Sequence, residues 1–315
     1  MHMRIAVLGS GGIGGYYGVE LLRGGHDVVF IARGSHLEAM QRSGLAIRTA
    51  SGESTVPVSA VADTQDAGPV DLVLFCLKAY DTGVAADALS PLLKPDTAVL
   101  TLQNGVDSAA LISAVAGAAR VLAGAVYVAL QIAAPGVIRH TGGDGRIVFG
   151  VPGGAATAQA ERVAEAFQRA GIPHVLSPDI DEVLWEKFLF ITGVGAVTAM
   201  ARSGIGPLMM SAEGRALVTA SCAEVAAVGR CEGHLLRPDA VEPVVAQAGT
   251  LPPEWRSSMA RDLAEGRRLE VEALSGAVVR RGRAHGIPTP VHQAIAACLS
   301  LHQPPFSAPV AAAAA

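Results

Sequence analysis

The run Ile5-Ala6-Val7-Leu8 followed at once by Gly9-Ser10-Gly11-Gly12-Ile13-Gly14 constrains this chain more than any other stretch. Four apolar residues, two of them β-branched, read as a buried strand, and glycines at G-x-G-x-x-G spacing read as a tight turn that opens a helix over residues 14–24. Gly9 permits the sharp reversal, Gly11 lets the backbone approach a pyrophosphate, and Gly14 lets the helix lie against the strand. The unpaired N–H groups of the helix start then face the phosphates of a dinucleotide. Ser10, Gly12 and Ile13 complete the turn and are assigned to the same cofactor site. A merely flexible glycine-rich turn is the bland alternative, and the strand before it and the helix after it weigh against that.

The rest of the first half alternates short β-branched runs with helical patterns, as a parallel sheet covered by helices requires. Strands are expected at residues 27–32, 71–77, 98–102 and 121–132, with an antiparallel pair in 45–61. Helices are expected at 35–43, 82–93 and 107–115. Residues 136–150 read as a hairpin turning at Gly142-Gly143-Asp144-Gly145, followed by a helix at 157–171 and an extended piece at 173–176. Beyond residue 180 every pattern is helical: 181–190 with a broken continuation to 202, then 211–232, 238–248 and 257–285. The expected class is α/β, an N-terminal Rossmann-type doubly wound sheet (1–177) joined to a C-terminal all-helical domain (178–303). The tail 304–315, with its prolines and alanine run, has too little to bury and is expected to be mobile.

A length of 315 residues suits two domains, and 50% hydrophobic against 17% charged residues supports a large buried core. A net charge of −4 without a basic run argues against nucleic acid as a partner. Cys76, Cys222, Cys231 and Cys298 have neither CxxC nor metal-ligand spacing, so no metal is expected, and they read as small buried hydrophobes in a reducing compartment. No basic segment precedes the first strand, and the apolar stretches 121–138 and 188–201 are broken by Gln131, Pro135, Gly193 and Gly195. A cytoplasmic protein without a membrane span is therefore expected. Leu217, Ala220, Val225 and Val228 give one helix an apolar face, which suits a homodimer or, more commonly, a core.

Three further residues fall at expected strand ends, where ligands bind in open α/β sheets. Arg33 stands where a carboxylate would accept the ribose hydroxyl of NAD, and a guanidinium there suits a 2′-phosphate, so NADPH is favoured over NADH. Lys78 can neutralise cofactor phosphates, and the Asn104 amide can bond substrate or nicotinamide, unless Asn104-Gly105 is only a turn.

Taken in order, several segments resemble the ketopantoate reductase (2-dehydropantoate 2-reductase) family over residues 4–290. They are the glycine turn, Cys76-Leu77-Lys78-Ala79-Tyr80, Leu102-Gln103-Asn104-Gly105, Gly136-Val137-Ile138-Arg139-His140, Leu184-Trp185-Glu186-Lys187-Phe188, Ser257-Ser258-Met259, and Arg283-Ala284-His285-Gly286-Ile287-Pro288. The resemblance implies NADPH-dependent reduction of a 2-keto acid, ketopantoate foremost, in a cleft between the two domains. It also implies that Lys187 is the catalytic lysine, that Glu270 orients it or the substrate hydroxyl, that Ser258 contacts the substrate carboxylate, and that Asn104 lies near the reacting carbonyl. Read without the family, Lys187 is a helix-surface lysine in unusually apolar company, Glu270 a solvated charge beside Glu272, and Ser257 or Ser258 a helix N-cap.

The chain departs from the family where Ile191 and Gly195 replace two asparagines that help hold the substrate. Loss of two amides suits a less hydroxylated or bulkier acid, because an unpaired substrate hydroxyl costs roughly 1–3 kcal/mol. The alternatives are thus a related dehydrogenase of another branched 2-keto acid or hydroxy acid, or an NADPH-binding sensor without chemistry.

Overall fold

Strand β1 (Arg4–Leu8) is buried from Ile5 onward, and its alternating side chains feed two cores. Ile5 and Val7 join Tyr17, Phe30, Phe149 and Phe167 on one face of the sheet, while Ala6 and Leu8 join Val73, Phe75 and Ile112 on the other. A strand apolar on both faces has to be covered on both, and that is what makes the sheet doubly wound. The computed structural model describes residues 2–303, so the expected tail at 304–315 lies outside the described residues.

The chain divides into two units, Met1–Leu184 and Trp185–Ala315. In the first, β1 is followed by α1 (Gly12–Arg23), β2 (Asp27–Ile31), α2 (Gly34–Ser43), β3 (Leu45–Thr49), β4 (Gly52–Val56), β5 (Ser59–Val61) and α3 (Thr64–Ala67). Next come β6 (Leu72–Phe75), α4 (Thr82–Asp87), β7 (Ala98–Thr101), α5 (Ser108–Ala116), β8 (Val121–Ala134), β9 (Val137–Gly150), α6 (Ala158–Arg169) and β10 (His174–Leu176). The strand order is β4-β3-β9-β8-β7-β6-β1-β2-β5, with β10 on β9. Its stretch from β5 to β7 is parallel throughout, and the chain reverses direction across the sheet between β1 and β6. That reversal leaves the crevice in which such sheets bind ligands.

Two expectations fail here. The expected hairpin at 136–150 is instead one long strand, β9 (Val137–Gly150), paired with β8 across a turn at Pro135-Gly136, and the glycines at 142–145 lie where the β8–β9 register shifts. Within 45–61 only β3 and β4 are antiparallel; β5 leaves them to pair in parallel with β2.

Helix α7 (Ile180–Gly193) carries the chain across the division and is followed by α8 (Gly195–Met200), α9 (Ile205–Met210), α10 (Ala212–Cys231) and α11 (Val241–Thr250). The remaining helices are α12 (Ser258–Ala264), α13 (Ser275–His285) and α14 (Pro290–Ser300). The expected helix 257–285 is broken, because Gly266 takes a left-handed conformation (φ 66°) that ends α12. Residues 180–200 are long and apolar enough to cross a bilayer by composition, yet 61% of that window is buried inside the protein, as in a core helix. Val225 and Val228 are buried and so unavailable to a partner chain, and Leu217 and Ala220 are half-buried. Of the cysteines, Cys222 is buried and Cys76 half-buried, but Cys231 and Cys298 are exposed, contrary to expectation.

Candidate active site

The glycine turn leaves β1 at Leu8 and enters α1 at Gly12, with Gly11 as its N-cap. Gly9 has φ 97°, and a Cβ there would lie 2.7 Å from the Leu77 backbone nitrogen. A Cβ at Gly14 would lie 2.2 Å from the Gly9 carbonyl oxygen, so the helix sits on its strand at a distance only glycine permits. Above Gly11 the contrast is sharp: a Cβ would meet nothing nearer than Ile132 Cδ1 at 4.0 Å. The turn is thus closed below and open above the helix start, which is the shape a pyrophosphate needs. The Ser10 side chain is not part of that opening. It is buried and its hydroxyl donates to the Ile31 carbonyl at 3.1 Å, leaving only its backbone for the turn. Ile13 is half-buried against the core.

Arg33, Lys78 and Asn104 follow β2, β6 and β7, and β2, β1, β6 and β7 are successive parallel neighbours in register. All three residues therefore stand with the glycine turn along one edge of the sheet, at the strands' carboxyl ends. Arg33 is the exposed N-cap residue of α2, and no carboxylate occupies the end of β2. Lys78 and Asn104 are half-buried.

Gln103 holds this edge together and carried no signal in the sequence beyond its place beside Asn104. Its amide nitrogen donates to the Leu77 carbonyl at 3.0 Å and to the Thr82 hydroxyl at 2.9 Å, and its amide oxygen accepts from the Thr101 hydroxyl at 3.2 Å. With all of its side-chain atoms engaged and 6% exposure, it locks the loop carrying Lys78 to the loop carrying Asn104.

In the helical unit Lys187 lies on α7 among Trp185, Phe188 and Leu189, which are buried, with the Trp185 and Phe188 rings edge to face at 5.4 Å. Burial lowers the Lys187 ammonium from its usual 10.5 to about 8, and the Glu270 carboxylate pulls partly back up. Glu270 is therefore the charge that Lys187 feels, although 83 residues separate them in the chain. It sits in the break between α12 and α13 at 7% exposure, whereas Glu272 is exposed and paired with Arg280 at 2.9 Å. The solvated reading fits Glu272 and not Glu270.

Ser257 and Ser258 divide the two roles read for them. Ser257 is the N-cap of α12, its hydroxyl accepting from the Ala260 N–H at 3.1 Å and donating to the Gly195 carbonyl at 2.8 Å. Ser258, the first residue of α12, is exposed. At Gly195 a Cβ would lie 3.1 Å from Ser257 Cβ, so the room an asparagine side chain would need is taken by the capping serine.

Known proteins match this chain over nearly its full length. Residues 5–154 match the family model described as ketopantoate reductase PanE/ApbA, and residues 179–303 match its C-terminal counterpart. A 2-dehydropantoate 2-reductase of Mesorhizobium japonicum is 33% identical over 94% of this chain and 96% of its own length, and one of Halobacterium salinarum is 36% identical over 96% and 99%. The crystal structure of a PanE/ApbA family ketopantoate reductase from Ralstonia eutropha superposes with a TM-score of 0.88 at 37% identity, covering 95% of this chain and 98% of that one. A D-mandelate dehydrogenase solved with NADH shares the fold at a TM-score of 0.87 and 22% identity. Matched from the glycine turn to the last helix by models and relatives alike, the chain belongs to the ketopantoate reductase family.

Proposed function

We propose that this chain is an NADPH-dependent reductase that converts a 2-keto acid, ketopantoate foremost, to the 2-hydroxy acid. In this reading residues 1–177 hold the cofactor and 178–303 supply the catalytic lysine, and the protein works in the cytoplasm. Gly9, Gly11, Gly12 and Gly14 would take the pyrophosphate, Arg33 the 2′-phosphate and Lys78 the phosphate charge. Bound there, the nicotinamide supplies the hydride that reduces the keto carbon.

Hydride arrival leaves negative charge on the former carbonyl oxygen, which needs a positive neighbour and a proton. Lys187 Nζ supplies both. An ammonium lowered to about 8 is still protonated at pH 7 and gives up its proton more readily than a surface lysine. Glu270 keeps the amine from being lowered further and so preserves the acid form. The Ser258 hydroxyl would bind the substrate carboxylate and the Asn104 amide the carbonyl oxygen. The observation that carries the reading is a half-buried Lys187 in apolar company, its ammonium lowered by desolvation and held up by the charge of buried Glu270, a costly arrangement for a structural lysine.

Steady-state assays with ketopantoate under NADPH and then NADH test it. Turnover with NADPH that is lost in Lys187→Ala, with cofactor binding kept, is the expected result; Lys187→Ala turning over at the parent rate would refute the assignment of roles. The filled space at Gly195 favours a second reading, in which a branched 2-keto acid with fewer hydroxyls is the better substrate, and a panel of such acids followed at the nicotinamide absorbance separates the two. Cofactor binding without turnover of any of them would point to a sensor.

A further inference from the structure

His36, on the first turn of α2, makes two hydrogen bonds that fix the state of its ring. Nε2 lies 2.9 Å from the Ser10 carbonyl oxygen, and Nδ1 lies 3.0 Å from the Gly136 backbone nitrogen. A carbonyl only accepts and a backbone N–H only donates, so the ring has to donate from Nε2 and accept at Nδ1. That is the neutral imidazole with its proton on Nε2. Burial lowers the His36 pKa while the bond to the Ser10 carbonyl works the other way, and the balance favours the neutral ring.

The Ser10 bond matters because of peptide geometry. The Ser10 C=O and the Gly11 N–H belong to one planar trans unit and point in opposite directions, so holding the oxygen aims the amide. Gly11 is the N-cap of α1, where the unpaired amides of the helix begin. Having no side chain, it is also the residue least able to fix its own peptide plane. The flanking anchors do not do it: the Ser10 N–H and hydroxyl both donate to the Ile31 carbonyl, on the other side of the residue from the Ser10–Gly11 peptide.

The Gly136 bond ties the same ring to the β8–β9 turn. That hairpin lies against the glycine turn, since a Cβ at Gly12 would meet Leu130 Cβ at 3.1 Å, and the Gly136 carbonyl accepts from the Ala46 N–H at 2.9 Å. One imidazole thus joins three segments: the glycine turn, α2 with Arg33 at its cap, and the hairpin.

We propose that His36 is a positioning residue for cofactor binding, its Nε2–H tautomer holding the Ser10–Gly11 peptide so that the Gly11 amide is aimed in advance at the dinucleotide pyrophosphate. The proposal rests on the reading that the glycine turn holds the cofactor. Its test is the Kd of NADPH without keto acid, measured calorimetrically for wild type, His36→Ala, His36→Asn and His36→Gln. It is joined by kcat and both KM values with ketopantoate, and by ring 15N shifts of wild type. His36→Ala should raise the Kd about tenfold, the loss of about one well-placed hydrogen bond, with kcat at saturating NADPH and the KM for ketopantoate within about twofold of wild type. His36→Gln, long enough to donate to Ser10, should recover part of the affinity, and His36→Asn, which reaches only Gly136, should not. The 15N shifts should show a protonated Nε2 and a bare Nδ1.

An unchanged Kd in His36→Ala, equal affinities of the Gln and Asn variants, or a proton on Nδ1 would overturn the proposal. If His36→Ala does not fold, the Gln and Asn pair and the wild-type ring shifts still decide it. Wild-type protein that binds neither NADPH nor NADH would instead overturn the cofactor reading, and the clamp with it.

Discussion

The lowered Lys187 ammonium has a consequence for stability as well as for the proposed catalysis. Because the folded chain binds this proton less tightly than the unfolded one, below pH 8 both states are protonated and the folded state carries the whole desolvation penalty. Between about 8 and 10.5 the unfolded chain holds the proton while the folded chain sheds it, so the penalty fades as pH rises through that window. A drop from 10.5 to about 8, at about 1.4 kcal/mol per pH unit, bounds the penalty at about 3.5 kcal/mol. Lys187 is half-buried by surface area, so water screens part of the charge and about 1–2 kcal/mol is the working figure. Lys187→Met, which keeps the stem and mimics the neutral amine, should therefore be more stable than wild type at pH 7 by about that amount and inactive. Urea midpoints at pH 7 and pH 10.5 measure it, and the difference between the two proteins should shrink at the higher pH because every other titration is shared. The rate of wild-type ketone reduction should fall as pH rises through about 8, where the acid is lost. A stability difference that stays constant from pH 7 to pH 10.5 would refute the reasoning, because it would then report packing and not charge.

Other consequences are more local. Arg33→Ala should weaken NADPH about 10–100-fold while leaving NADH nearly unchanged, the range for one charge-assisted contact, as read from the two cofactor KM values. Gly14→Ala sets a methyl against the Gly9 carbonyl and Val7, and should lower stability by at least about 1–3 kcal/mol and weaken cofactor binding, by urea unfolding and calorimetry. His292 is fully buried between Ser275 and the Ser221 carbonyl, and burial lowers its pKa from 6.5 to about 4. The unfolded chain takes up this proton first, so wild-type stability should decline from pH 6.5 toward pH 4, and His292→Gln should flatten that slope in urea midpoints. Gly195→Asn should push Ser257 off the α12 N-cap and lower stability by about 1 kcal/mol, measurable by thermal unfolding.

The Rossmann half was legible because its rules are local. A β-branched run ending in glycines at fixed spacing dictates strand, turn and helix within some twenty residues, and β1, α1 and β2 fall where the pattern puts them. Where the chain's own pattern is ambiguous, pairing partners decided instead. The glycines at 142–145 read as a turn, yet β8 pairs with β9 on both sides of them, from Ala123 opposite Gly150 to Ala134 opposite Val137, and makes a continuous strand the better way to satisfy the backbone. Residues 257–285 keep helical periodicity throughout, and a left-handed Gly266 interrupts them in a place that periodicity cannot reveal. The break is also where Glu270 turns inward, so the misplaced helix and the solvated reading of that carboxylate are the same error.

The site divides along a similar line. Residues proposed to act with their own side chains, such as Arg33, Lys187 and Glu270, could be picked out from position or from resemblance. A glycine turn acts through backbone groups, and the motif says where those groups are but not which way they point. The bonds that hold such backbone groups come from partners far off in sequence: His36, bonded to the Ser10 carbonyl, is 26 residues from Ser10 and 100 from Gly136, and Gln103, which ties the Lys78 loop to its own, is 26 from Leu77. Neither side chain belongs to the glycine motif, and each is held by hydrogen bonds at both ends. If backbone aim is what the fold contributes to the cofactor, such bridging side chains should govern Kd while leaving chemistry alone. Gln103→Leu should then resemble His36→Ala in raising the Kd for NADPH, with the added loss of the Asn104 contact appearing as a higher KM for ketopantoate. A Gln103→Leu enzyme with both constants unchanged would show that the strand-end loops hold their geometry without it.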